Sequence, residues 1–213
     1  MTILNGRNTL LKNRINQHLY KLTGNDIDYY SRLKQNDLIE LKTVLADINN
    51  VFTFKLTISA AKWICKYFNL GKEDKIKILK NVDKASPNSK GFDIDIKEPF
   101  KIIAEVKCVS PIKNGPKFGV AQHDSIMEDI HKLIYGKGNL VDTTNFFKFL
   151  FIIDLGDRSD KAIRQLIKET KGTTPKANKY NELKSDKILL LKDNMNINDL
   201  DTKKVYLKKL KID

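Results

Sequence analysis

The chain has 213 residues, 39 basic against 26 acidic, for a formal net charge of +13, a balance that favours a polyanionic partner. Hydrophobic residues make up 41% and charged residues 31%, which leaves room for one sizeable domain or for a core with a smaller helical unit. No run approaches the length of a membrane span, the start from Met1 to Arg7 has no long apolar stretch, and Cys65 and Cys108 are the only cysteines. Neither a membrane nor an export signal is expected, and a reducing, cytoplasmic setting fits best. Residues 1–85 carry 15 basic and 8 acidic residues and residues 86–213 carry 24 and 18, so the excess is spread along the chain with no basic tail. A lysine-rich solvated surface is the plainer explanation of the same counts.

Leu11, Ile15, Leu19 and Leu22 recur at helical spacing before Gly24, and predict an amphipathic helix over 8–23. A second helix is predicted over 26–49, with a break near Asn36-Asp37. Val51 to Leu56 alternates and reads as extended. Ser59 then caps a helix through Ala60, Trp63, Ile64, Tyr67 and Phe68, closed near Gly71, and 72–82 forms another. This last pair invites a helix-turn-helix reading with Lys72, Lys75, Lys77 and Lys80 facing phosphates; a plain helical hairpin packed on the core fits the pattern better. The polar stretch from Asp83 to Gly91 reads as a linker.

From Gly91 to Lys107 the period changes to two. Phe92, Ile94 and Ile96 alternate with Asp93, Asp95 and Lys97, and Ile102, Ala104 and Val106 with Ile103, Glu105 and Lys107. This is a β-hairpin about a turn at Glu98-Pro99. Asp93 and Glu105 are equally distant from Pro99, so they lie opposite each other. Asp95 and Lys107 share their face, and Phe92, Ile94, Ala104 and Val106 take the other. Close carboxylates on one sheet face are costly without a counter-ion.

A loop of two prolines and two glycines follows to Gly119, carrying Lys113, Asn114 and Lys117. Ile126, Met127, Ile130, Leu133 and Ile134 mark a helix over 120–136, with Gln122 near its start. His123 and His131 read as surface histidines. Phe146 to Ile153 is nearly continuous apolar sequence, which suits a central strand buried on both faces. A helix over 158–171, a strand over 187–191, and a short helix or strand over 202–210 complete the chain.

An acid on one strand followed by Glu-x-Lys on the next, here Asp93 (or Asp95) with Glu105-Val106-Lys107, resembles the PD-(D/E)xK nuclease superfamily over roughly residues 86–155. Gly91-Phe92 stands where the family usually has a proline. The resemblance implies an α/β fold: a restriction-endonuclease-like core, with a mixed central sheet flanked by helices, over 86–213, and a helical N-terminal region over 1–85 left for DNA recognition. It implies Mg²⁺ held by Asp93, Glu105 and the carbonyl of Val106, with Asp95 in reserve, and Lys107 beside the attacking water. Lys113, Asn114, Lys117 and Gln122 become candidate DNA contacts, although a solvated loop and a simple helix cap explain them as well. A ladder of surface salt bridges is the competing account of the charged strands.

The expected activity is Mg²⁺-dependent hydrolysis of double-stranded DNA, as in a type II restriction endonuclease of a prokaryotic cell working as a homodimer. The alternatives are a structure-specific resolvase or repair nuclease, and a non-catalytic DNA-binding module on the same fold.

Overall fold

A computed structural model describes residues 5–85, 91–112, 115–137, 142–168, 183 and 185–212. The chain divides into two compact units, residues 1–48 and 49–213, and the boundary falls inside one helix.

The first unit contains α1 (Asn5–Thr23), α2 (Tyr29–Arg32) and the beginning of α3 (Gln35–Tyr67). Asp28 ties α1 to α2. Its carboxylate accepts from Asn16 Nδ2 at 2.9 Å, pairs with Lys12, and caps α2 by accepting from the Ser31 N–H at 3.2 Å, as an N-cap aspartate does. None of the described side chains of this unit is buried.

The second unit is built on a five-stranded sheet in the order β1-β2-β3-β5-β4, from β1 (Ile94–Ile96), β2 (Ile102–Lys107), β3 (Phe147–Ile153), β4 (Ile188–Leu190) and β5 (Val205–Leu210). β1 is antiparallel to β2, and the other neighbours are parallel. The sheet is therefore mixed, with helices on both sides. On one face α3 and α4 (Lys72–Lys84) bury Leu56, Ala60, Ile64, Phe68, Ile78 and Val82 against Ile94, Ile102, Ala104, Phe149 and Phe151. On the other, α5 (Val120–Tyr135) and α6 (Asp157–Lys168) bury Ile126, Ile130, Leu133, Ile163 and Leu166 against Ile103, Leu150, Ile152 and Leu207.

Several expectations change. Residues 51–56 are helical, and Ser59 lies inside α3 rather than capping a new helix. Alternation over six residues fits a strand, but Leu56, Ala60, Ile64 and Phe68 repeat every four, and that longer stripe finds a sheet to cover. The end of α3 and α4 thus belong to the sheet unit instead of to a separate helical region, and they form a hairpin on the core with Lys72, Lys75, Lys77 and Lys80 exposed. Phe92 is buried with Ile103 and α5, the layer opposite to the one its alternation implies. His123 is buried to 9% exposure and is no surface residue. Part of the linker, at 86–90, lies outside the described residues. No helix among the described residues is long and apolar enough to cross a membrane.

The final segment is a strand, and an interior one: β5 inserts between β3 and β4. β3 is buried through its middle on both faces, as its composition predicts. Lys148 is the exception within it. It is 2% exposed, and its Nζ donates to the carbonyls of Thr143, Phe146 and Thr202.

Candidate functional site

β1 and β2 pair as Ile94↔Ala104, Asp95↔Ile103 and Ile96↔Ile102 about a turn that includes the cis Glu98–Pro99 peptide. The register continued by one residue sets Asp93 opposite Glu105, as the sequence requires. Asp93 lies just beyond the end of β1, where its Oδ2 accepts the N–H of Val106 at 2.8 Å and so fastens the mouth of the hairpin. Glu105 and Lys107 have the parity of Ile103, so they face α5.

The helix supplies what meets them. Lys107 Nζ lies 2.7 Å from Asp129 Oδ2 and donates to Ser125 Oγ at 2.9 Å. Ser125 and Asp129 are four apart on α5 and therefore share a face. The other oxygen of Asp129 receives Lys132 at 3.2 Å. Beyond Gly136, whose φ of 100° turns the chain out of the helix, Lys137 reaches back and donates to Glu105 Oε1 at 2.8 Å. Three carboxylates and three ammonium groups line a cavity of about 430 Å³, which Asn50, Thr53 and Thr57 of α3 also line.

Glu105 is the most perturbed group. It is 3% exposed, and its pKa is pushed up to about 8 by burial first, then by the charges of Asp93 and Asp129, with Lys137 opposing them. A buried acid beside two other acids resists ionisation. Lys132 loses some hydration, yet Asp129 and Glu128 hold it above the ordinary lysine range. A salt-bridge ladder on a wet sheet face does not describe this arrangement, because the glutamate and the aspartate of the helix are both out of water.

No protein-family model, curated protein or solved structure matches this chain.

The structure brings Asp93, Glu105, Val106 and Lys107 together around one cavity. Asp95 is not part of it. It sits opposite Ile103, exposed, with Lys97 Nζ 2.9 Å away, and it lines a neighbouring cavity beside α4. Gln122 accepts the N–H of Gly119 at 3.1 Å and caps α5 without lining the acidic cavity. Lys117 is exposed beside a separate cavity with Phe118 and His123. Lys113 and Asn114 lie outside the described residues.

Asp129, Ser125, Lys132 and Lys137 are absent from the sequence reading. For Asp129 a signal existed. Ile126, Ile130 and Leu133 set a stripe whose missing i+3 position is 129, so an acid occupies a place that the period assigns to an apolar side chain. Lys137 carried no comparable signal, because its reach depends on the turn at Gly136.

Among the described residues no three His, Cys, Asp or Glu side chains form a group able to hold a metal ion. The donors still suit Mg²⁺, which commonly takes one or two carboxylates and fills its remaining positions with water and substrate phosphate. Asp93 and Glu105 are hard oxygen donors side by side, and burial first, then the two neighbouring acids, raises the pKa of Glu105.

Proposed function

We propose that this protein is a Mg²⁺-dependent endonuclease acting on double-stranded DNA, in the manner of a type II restriction enzyme. The observation that carries the proposal is the meeting of Asp93 and Glu105 across the mouth of the β1–β2 hairpin, with Lys107 on the same face of β2. Asp93, Glu105 and the carbonyl of Val106 would hold the cation. When bound, it would polarise a phosphodiester and lower the pKa of a water molecule.

The chain's own contribution is positioning. Lys107 is the ammonium nearest the end of β2, and Asp129 and Ser125 hold it so that it presents positive charge where a pentavalent phosphorus would develop negative charge. To hold a cation Glu105 would have to be ionised, against the burial that raises its pKa. Lys132 and Lys137 add positive potential at the mouth, consistent with a polyanionic substrate and the net charge of +13. A two-fold pair of such sites, one per strand of a palindrome, is part of the proposal.

The test incubates purified protein with plasmid, linear and branched DNA, with and without Mg²⁺, and reads the fragment ends. Discrete fragments from duplex DNA that depend on Mg²⁺ and disappear in Asp93→Asn and Glu105→Gln are expected. Preferential cutting of branched DNA would redirect the proposal to a resolvase or repair nuclease. Intact substrates throughout, across a broad set of sequences, would defeat it.

One observation favours a second reading. Lys137 with Glu105 and Lys107 with Asp129 satisfy one another as they stand, as a purely structural ion network would. On that reading the module binds DNA without cutting it, and binding is sensitive to salt but indifferent to EDTA.

A further inference from the structure

The beginning of α3 carries an apolar stripe that is exposed along most of its length, with Leu41 half-buried. Leu38, Leu41, Leu45 and Ile48 follow one another at steps of three, four and three, the a and d positions of two heptads. Leu38 is 42% exposed, Leu45 50% and Ile48 41%. Val44 widens the stripe and is also exposed, while Glu40, Thr43 and Asp47 lie on the opposite side together with the exposed Ile39. A helix of this composition is stable in water only with its apolar stripe covered, and no described side chain of residues 6–48 is buried to supply a core.

We propose that the stripe is the seam of a parallel two-stranded pairing between two copies of this chain. Charge selects the partner and its direction. With Leu38 and Leu45 at a, Asp37 falls at g and Lys42 at the following e. In a parallel pair the g residue of one helix meets that e residue of the other, so Asp37 of each copy faces Lys42 of its mate, twice by symmetry. An antiparallel pair would set g against g and e against e, and the complementarity would vanish. Two heptads are few for an isolated zipper. Here, however, the stripe is part of a 33-residue helix whose later turns bury Leu56, Ala60 and Ile64, so pairing need not nucleate the helix. The seam does not rest on the nuclease reading.

Sedimentation of the full chain across a range of concentrations tests the proposal. A concentration-dependent dimer is expected. Leu45→Glu with Ile48→Glu should leave monomer throughout, with unchanged fluorescence from Trp63, whose ring lies 5.7 Å from Phe149 and 5.5 Å from Phe151 in the sheet unit. Lys42→Asp should weaken association about tenfold by setting like charges across both pairs, and adding Asp37→Lys should restore it. Leu45→Cys should oxidise to a covalent dimer. A monomeric wild type, a dimer indifferent to the paired glutamates, or a Lys42→Asp defect that Asp37→Lys fails to repair would overturn the seam, whatever the outcome of the cleavage assay.

Discussion

Lys107 Nζ rests 2.7 Å from Asp129 Oδ2, and it makes no ion pair with either of the acids across the hairpin mouth. The strand supplies the ammonium and the helix fixes its place. Asp129 is itself 5% exposed, so the acid of the pair is shielded from solvent while Lys107 keeps part of its side chain in contact with it.

Asp129→Asn should therefore slow cleavage by about 10–100-fold, the usual effect of removing a group that orients an active-site side chain, while DNA affinity stays within a few-fold of the parent. Single-turnover cleavage with saturating enzyme separates the two effects. An unchanged rate would show that Lys107 does not depend on the helix for its position.

Glu105 makes stability depend on pH. Its ordinary pKa is 4.5 and the folded value is about 8. Below the first both states carry the proton, and between the two only the folded state does. Stability therefore falls as pH rises through that window, and the full cost, on the order of a few kcal/mol, is present above the folded value. In Glu105→Gln the decline between pH 5 and 8 should flatten. Urea denaturation at fixed ionic strength measures it, and an unaltered slope would assign the decline to other groups.

Lys148 contributes with the opposite sign at higher pH. Burial lowers its pKa from 10.5 to about 8, so stability should rise between those values as the unfolded chain alone retains the proton. Lys148→Met removes the titration but leaves the carbonyls of Thr143, Phe146 and Thr202 without their donor. A net loss of about 1–3 kcal/mol at neutral pH is expected, with DNA cleavage by the folded fraction unaffected. A variant as stable as the parent would mean that other donors reach those oxygens.

What was legible in the sequence was legible through short periods. The alternation on either side of Pro99 fixed the register that sets Asp93 against Glu105, and the nearly continuous apolar run from Phe146 to Ile153, interrupted by Lys148 alone, declared a strand covered on both sides. What escaped depends on partners distant in the chain. Leu56 to Phe68 is a helix stripe only because a sheet stands beneath it, and over 51–56 the local pattern suits a strand equally well. The insertion of β5 between β3 and β4 leaves no mark on its own residues. Asp95 has the same parity as Asp93, but it stands two residues further along β1, where α5 does not reach and Lys97 does. Phe92 precedes the ladder, so alternation no longer governs the side it takes.

Lys137 donates to one oxygen of the Glu105 carboxylate, so ammonium and a cation held by that carboxylate would compete. Lys137→Met should free that oxygen, and at pH 9, where proton competition is weaker than at neutral pH, Ca²⁺ should bind several-fold more tightly than to the parent chain. Near neutral pH the advantage should shrink or reverse, because Glu105 without its ammonium holds its proton more firmly. Calorimetric titration at the two pH values measures both, and each proton released on binding adds a buffer-dependent heat. Should Lys137→Met bind Ca²⁺ more weakly at pH 9, the ammonium would be supporting the acidic pair instead of displacing a cation from it, and the structural ion network would become the better account of the cavity.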